Sequence, residues 1–160
     1  MTAYLGLGTN MGARLDNLKS AVNALNKVPG VRVTAVADIY ETDPVGYENQ
    51  PCFLNTAVEV ETDFDPEGLL GVALGIEAGL GRVRNFKNGP RVIDIDLLFY
   101  GDTRCEGPVL TLPHPRIFER GFVLKPLLDL EVKTSLFLKE KALTADFSGV
   151  RKIYDKSLLG

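Results

Sequence analysis

The stretch Gly-Pro-Arg-Val-Ile-Asp-Ile-Asp-Leu-Leu-Phe-Tyr, residues 89–100, sets two aspartates two residues apart inside a strand-like apolar segment. Successive side chains of a strand point to opposite faces. This predicts Ile93, Ile95, Leu97 and Phe99 on one face and Val92, Asp94, Asp96 and Leu98 on the other. One face reads as core and the other carries paired acid. Strands are poor in aspartate, and two like charges one pleat apart repel, so the pattern lowers stability unless something positive lies between them. Oxygen ligands from one or two carboxylates suit Mg2+, which keeps several waters and completes its shell with substrate phosphates. The same pattern also fits the solvated outer face of an amphipathic strand.

Upstream, Ala3 to Gly8 alternates and then breaks at Gly8-Thr9-Asn10-Met11-Gly12, a strand followed by a turn. From Arg14 to Asn26, Leu15, Leu18, Val22 and Leu25 recur at helical spacing, and Pro29-Gly30 ends the element. Val31 to Tyr40 alternates again, with Val31, Val33, Ala35, Ala37 and Ile39 in one register. Cys52 to Thr62 reads as a third strand and Asp65 to Leu80 as a second helix. That helix carries Leu69, Leu70, Ala73, Ile76 and Leu80 on one stripe, with Glu77 beside it and partly buried. A short apolar helix is expected around Phe122 to Leu128. Strand, helix, strand, strand, helix, strand predicts a ferredoxin-like α+β fold, with both helices on one face of an antiparallel sheet and the other face open to a ligand.

The length of 160 residues predicts a single domain, residues 1–160, large enough to bury roughly 70% of its unfolded surface. A formal net charge of -3 argues against nucleic acid as a bulk partner. Cys52 and Cys105 lack metal-ligand spacing and read as reduced thiols. The N-terminus lacks a basic leader region, and no apolar run reaches the ~18 residues of a membrane span. The expectation is a soluble, cytoplasmic, untargeted protein.

On the third strand, Leu54, Val58 and Val60 point one way while Phe53, Asn55, Glu59 and Glu61 point the other. Phe53 is the odd aromatic on a polar face, placed to stack a planar ligand while Asn55 pairs with its polar edge; a ring that merely covers a loop fits equally. If the strands pair as proposed, Phe53, Asn55, Asp94 and Asp96 share the open face. The loop from Gly81 to Arg91 brings Arg82, Arg84, Lys87 and Arg91 to the acidic strand, as phosphoryl chemistry requires, although a solvated turn reads the same. The lone histidine, His114, sits between prolines. The Glu41 to Pro51 connection exceeds a tight hairpin, and loops of that length often bind something. A Walker phosphate loop and a Gly-x-Ser-x-Gly elbow are absent, and Gly6-Leu7-Gly8-Thr9-Asn10-Met11-Gly12 misses the dinucleotide-binding spacing by one residue.

These segments resemble the 6-hydroxymethyl-7,8-dihydropterin pyrophosphokinase family over nearly the whole length. The resemblance is carried by Tyr4-Leu5-Gly6-Leu7-Gly8-Thr9-Asn10, Tyr40-Glu41-Thr42-Asp43-Pro44, Phe53-Leu54-Asn55, Gly81-Arg82-Val83-Arg84, the Gly89-to-Asp96 block, Leu112-Pro113-His114-Pro115 and Arg120-Gly121-Phe122. It implies transfer of the pyrophosphoryl group of the co-substrate ATP to a pterin hydroxymethyl group, with AMP released. It also implies that Asp94 and Asp96 hold two Mg2+ ions, with Arg82 and Arg91 beside them as catalytic residues. Arg82, Arg84, Arg91, His114 and Arg120 would contact ATP. Thr42, Asp43, Val45, Phe53, Asn55 and Phe122 would contact the pterin, with Asn10 and Glu77 bracing the pocket. The partners implied are these small molecules, with no nucleic acid or membrane, and the expected state is a monomer. Two departures from familiar members stand out: Asn88 occupies a position that usually carries tryptophan, and Phe53 replaces a tyrosine. Two rival readings are a two-metal nucleotidyltransferase and a non-catalytic ferredoxin-like ligand-binding module.

Overall fold

The computed structural model describes residues 1–44, 46, 48–81, 90–132 and 145–160. Its elements run β1 (Thr2–Thr9), α1 (Arg14–Lys27), β2 (Val31–Val36), β3 (Ile39–Thr42), β4 (Phe53–Thr62), α2 (Pro66–Gly79) and β5 (Asp94–Tyr100). A small hairpin of β6 (Cys105–Glu106) and β7 (Thr111–Leu112) follows, then α3 (Gly121–Leu128) and β8 (Val150–Tyr154). The main sheet has the order β5-β1-β4-β3-β8, with β2 also paired to β4, and each of these pairings is antiparallel. The α+β class expected from the sequence is the one observed, and the order is consistent with a ferredoxin-like arrangement extended by β8.

Helix α1 forms because Leu18, Ala21, Val22 and Leu25 fall on one stripe and are buried against the sheet. It stops at Pro29-Gly30, where Gly30 takes a φ of 89° and packs against Phe64. Helix α2 starts on Asp65, whose carboxylate accepts the Gly68 N–H at 2.7 Å, with Pro66 in the first turn. Such a cap stabilises a helix by about 1 kcal/mol, which helps offset Gly71, Gly75 and Gly79 on the exposed side. Leu69, Ala73 and Glu77 are its buried residues, so the acid is more deeply buried than the sequence suggested. Among the described residues no helix is long and apolar enough to cross a membrane.

Two expected strand registers change. Val31 to Tyr40 is not one strand: a bulge between Val33 and Ala35 and a break after Val36 divide it into β2 and β3. Val31, Val33, Val36 and Ile39 therefore pack on the helix side, whereas Ala35 and Ala37 turn to the opposite face. In β5 a register shift opposite Tyr4 and Leu5 leaves Ile93, Ile95 and Leu97 in the helix-side core but sends Phe99 to the other face with Leu98. Tyr100 takes the place in the main core that alternation assigns to Phe99.

The second face is also less open than expected. Tyr4, Ala57, Leu98 and Phe99 form an apolar cluster there with Ile117, Leu124, Leu127 and Leu130, so α3 and its flanks lie across half of it. The apolar run at residues 122–128 needs a surface to cover, and burying each such side chain stabilises by about 1.5–3 kcal/mol. Outside that cluster lies the end of the sheet bearing Asp94, Asp96 and Phe53, all partly exposed, and the buried Asn55.

Candidate active site

Opposed residues of an antiparallel pair share a face. Gly8 lies opposite Asn55 on one side and Asp94 on the other, and Tyr40 lies opposite Asn55, giving the lateral row Asp94, Gly8, Asn55, Tyr40. The adjacent row is Asp96, Gly6, Ala57. The β1 positions between Asp94 and Asn55 and between Asp96 and Ala57 are thus both glycine, so β1 itself adds no side chain to this trough of the sheet. A Cβ on Gly8 would stand 2.9 Å from Asn55 Oδ1, and one on Gly6 would stand 3.4 Å from Leu98 Cδ1. Gly6 falls within the expected strand and Gly8 at the start of the expected turn, and both belong to the stretch that misses the dinucleotide-binding spacing. Their signal was available, since glycine inside a strand marks a close approach.

On the β4 side, Asn55 is 7% exposed and its Nδ2 donates to Thr42 Oγ1 at 2.7 Å. That bond orients the carboxamide and leaves Oδ1 at the trough beside Gly8. Phe53 is half-buried on the same face of β4 and lies opposite Thr42. Asp43 places its backbone at the rim, but its carboxylate is engaged by Arg151 at 3.2 Å. Phe122 stands in the first turn of α3 with the Arg120 guanidinium 5.7 Å from its ring centre, a cation–π contact.

On the β5 side, Arg91 Nε approaches Asp94 Oδ2 at 3.2 Å without hydrogen-bond alignment, and its side chain is 12% exposed. Asn10 holds this arginine by its backbone. The Asn10 N–H donates to Arg91 O at 3.0 Å, and Asn10 Oδ1 accepts from Arg91 N at 2.8 Å. Asn10 Nδ2 donates to Gln50 Oε1 and to Pro51 O, so one buried amide ties β1 to the residues entering β5 and β4. Glu77 reaches from α2 and accepts the Ile95 N–H at 2.7 Å, between the two acids.

His114 donates its backbone N–H to Leu98 O at 2.9 Å, and its Nδ1 accepts from Arg116 N at 3.2 Å. That second bond assigns the proton of the neutral ring to Nε2. Burial pushes the imidazole below its usual value, Asp96 pulls it back up, and Arg120 and Arg116 add to the depression. Arg120 is lowered mainly by burial and then by Arg116, with Asp96 opposing. Asp96 therefore lies near His114 and Arg120, which separate segments of the chain supply. Arg116 itself is exposed and paired with Glu119 at 3.5 Å. Arg82, Arg84 and Val45, all expected in the site, lie outside the described residues, as do Lys87 and Asn88.

Sheet and helices together define an α+β protein with acids and arginines at one end of its sheet. The profile of the 7,8-dihydro-6-hydroxymethylpterin-pyrophosphokinase (HPPK) family matches residues 4–132, and the chain belongs to that family. It is 44% identical over 155 residues to the 2-amino-4-hydroxy-6-hydroxymethyldihydropteridine pyrophosphokinase of Bacillus subtilis, covering 97% of this chain and 92% of the relative. The enzyme of the same name from Methylorubrum extorquens is 44% identical over 154 residues, with 94% and 98% covered. The folic acid synthesis protein fol1 of Schizosaccharomyces pombe is 43% identical over 128 residues, which cover 80% of this chain but only 18% of that longer protein. Among solved structures, a Plasmodium falciparum HPPK-DHPS variant with pterin and p-hydroxybenzoate superposes with a TM-score of 0.69 at 19% identity, covering 96% of this chain and 47% of that one. An HPPK-DHPS in complex with substrates gives a TM-score of 0.65 at 16% identity, covering 89% and 43%. At those identities the structural likeness is one of fold.

Proposed function

We propose that this protein transfers the pyrophosphoryl group of ATP to the hydroxymethyl oxygen of 6-hydroxymethyl-7,8-dihydropterin and releases AMP, a step in folate synthesis. The hydroxymethyl oxygen bonds to the β-phosphorus, and the bond from that phosphorus to the α–β bridging oxygen breaks. The electron pair leaves with AMP, and the hydroxyl proton passes to solvent. The observation that carries this reading is the row Asp94, Gly8, Asn55, which sets an acid and a carboxamide on either side of a bare glycine. A flat ring lying on the glycine would meet Asn55 at one edge and bring its substituent toward the acids.

The residues divide accordingly. Phe53 and Phe122 stack the pterin, Asn55 pairs with its polar edge, and Thr42, Asp43 and Val45 line the rim, with Thr42 holding the Asn55 carboxamide in place. Arg91, Arg120 and the Nε2–H of His114 bind phosphate oxygens, as do Arg82 and Arg84, and charge spread over those oxygens is what such a reaction must stabilise. Asn10 and Glu77 fix the positions of Arg91 and the acidic strand. Asp94 and Asp96 offer only carboxylate oxygens, and among the described residues no group of three His, Cys, Asp or Glu forms. That donor set fits Mg2+, which takes the rest of its shell from water and phosphate. Two Mg2+ ions held by Asp94 and Asp96 would neutralise and orient the triphosphate. The protein works as a cytoplasmic monomer whose partners are these small molecules.

The test is incubation of the protein with ATP, Mg2+ and 6-hydroxymethyl-7,8-dihydropterin while AMP is followed. AMP formed only when the pterin is present is the expected result. Release of pyrophosphate instead would move the protein to the nucleotidyltransferases, and no pterin-dependent product would overturn the reading.

A further inference from the structure

The family match ends at Val132, yet the chain beyond it is built into the rim of the trough. Arg151, on β8, reaches both ends of the long β3–β4 connection with one guanidinium. At the start of that connection it donates to Glu41 Oε1 at 2.7 Å and to Asp43 Oδ1 at 3.2 Å. At the far end it approaches Cys52 Sγ at 3.7 Å, one residue before Phe53. Two residues earlier, Gly149 O accepts the Asp43 N–H at 3.2 Å. Gly149 has a φ of 74°, which disfavours a side chain, and a Cβ there would stand 2.8 Å from Asp43 Oδ2.

The same segment holds the opposite wall. A Cβ on Gly121 would stand 2.4 Å from Asp146 O, so the turn before β8 lies directly on the first residue of α3, beside Phe122. Phe147 places its ring 5.2 Å from Lys125 Nζ on the same helix. The segment from Asp146 to Arg151 therefore spans from the Phe122 wall to the Phe53 wall.

We propose that Arg151 is a positioning residue for the pterin: by pinning both feet of the Glu41-to-Cys52 connection, it sets the width of the cleft in which the ring stacks. This inference rests on the pterin reading of the site. Arg151 is half-exposed, and exposed ion pairs add little to fold stability, so its effect belongs to local geometry. Its anchors all lie on the β3–β4 side of the trough, while Asp94 and Asp96 and the backbone bond of His114 to Leu98 stand across β1. Loss of Arg151 is therefore expected to weaken one substrate and spare the other.

The test compares the full-length protein with Arg151→Met and Arg151→Lys, measuring KM for each substrate, kcat and amide hydrogen exchange. Arg151→Met is expected to raise the pterin KM by about tenfold, since small misplacements of positioning groups have large kinetic effects, and to leave the ATP KM unchanged. Exchange at Glu41–Pro44 and Ser148–Val150 should quicken. Arg151→Lys should recover only part of the loss, because an ammonium cannot hold Glu41 and Asp43 together in a planar fork. An unchanged pterin KM in Arg151→Met, or equal losses for both substrates, would overturn the inference. A wild-type protein that forms no pterin-dependent AMP would overturn the pterin assignment and this role with it, while the exchange rates would still report the brace separately.

Discussion

Asp94 and Asp96 stand on a strand face where carboxylates are costly, opposite two residues that contribute no side chain at all. If they serve to hold cations against a triphosphate, Asp96→Ala should lower kcat by at least about 100-fold, the scale seen when one charge-stabilising group is lost. The far-UV circular dichroism should stay unchanged. Retained turnover at saturating Mg2+ would remove Asp96 from the chemistry. Gly8 makes a sharper test of the trough. An alanine Cβ at 2.9 Å from Asn55 Oδ1 forces the carboxamide to move, and that carboxamide is already bonded to Thr42 at 2.7 Å. Gly8→Ala should raise the pterin KM by about tenfold, one lost hydrogen bond's worth in a buried site, and leave the ATP KM close to its original value. Steady-state kinetics with each substrate varied in turn would show the difference.

At the scale of elements, β3 is held between β4 and β8, and Glu41 marks the seam. Hydrogen bonds from Arg151 and then from Arg14 hold the Glu41 carboxyl below its usual value, with burial opposing them. The unfolded chain therefore binds the Glu41 proton at higher pH than the folded protein does. The stability this contributes is complete above the ordinary glutamate range and is lost as pH falls through the folded value. Urea midpoints at about pH 7 and about pH 3.5 should differ less in Arg151→Met than in the unsubstituted protein, because the strongest cause of the shift is gone. An equal difference would show that Arg151 does not act on Glu41. Helix α3 is the other element with a structural debt to the sheet. Leu124 is fully buried beneath it, so Leu124→Ala should cost about 2–5 kcal/mol in unfolding experiments.

Across the whole molecule, what the sequence made legible follows its periodicities. Alternation alone puts Asp94 and Asp96 on one face of β5 and Phe53 and Asn55 on one face of β4, and the pairing expected from the order of strands and helices joins those faces. Bulges break that logic. Nothing in Val31 to Ile39 announces the extra residue that turns Ala35 and Ala37 away from Val31 and Val33, and nothing in Leu98-Phe99-Tyr100 announces the flip that exchanges Phe99 for Tyr100. Long-range docking was equally hidden. The apolar run of α3 is plain, but not that it would close half the sheet, and β8 pairs with a strand more than a hundred residues earlier. Asp96, His114 and Arg120 come from separate segments, and only the fold gathers them.

One feature of α2 reaches beyond the site. Among the described residues β5 ends the sheet, so the strand that carries the acids is also an edge strand. Outward-facing amides on such a strand are a template on which another chain can add itself, and stacking of that kind starts aggregation. Glu77 occupies the Ile95 amide with a buried carboxylate, and α2 runs alongside to deliver it. The carboxylate that steadies the acids thereby also denies a neighbouring molecule its first rung, letting the protein carry a reactive strand at its border in a crowded solution.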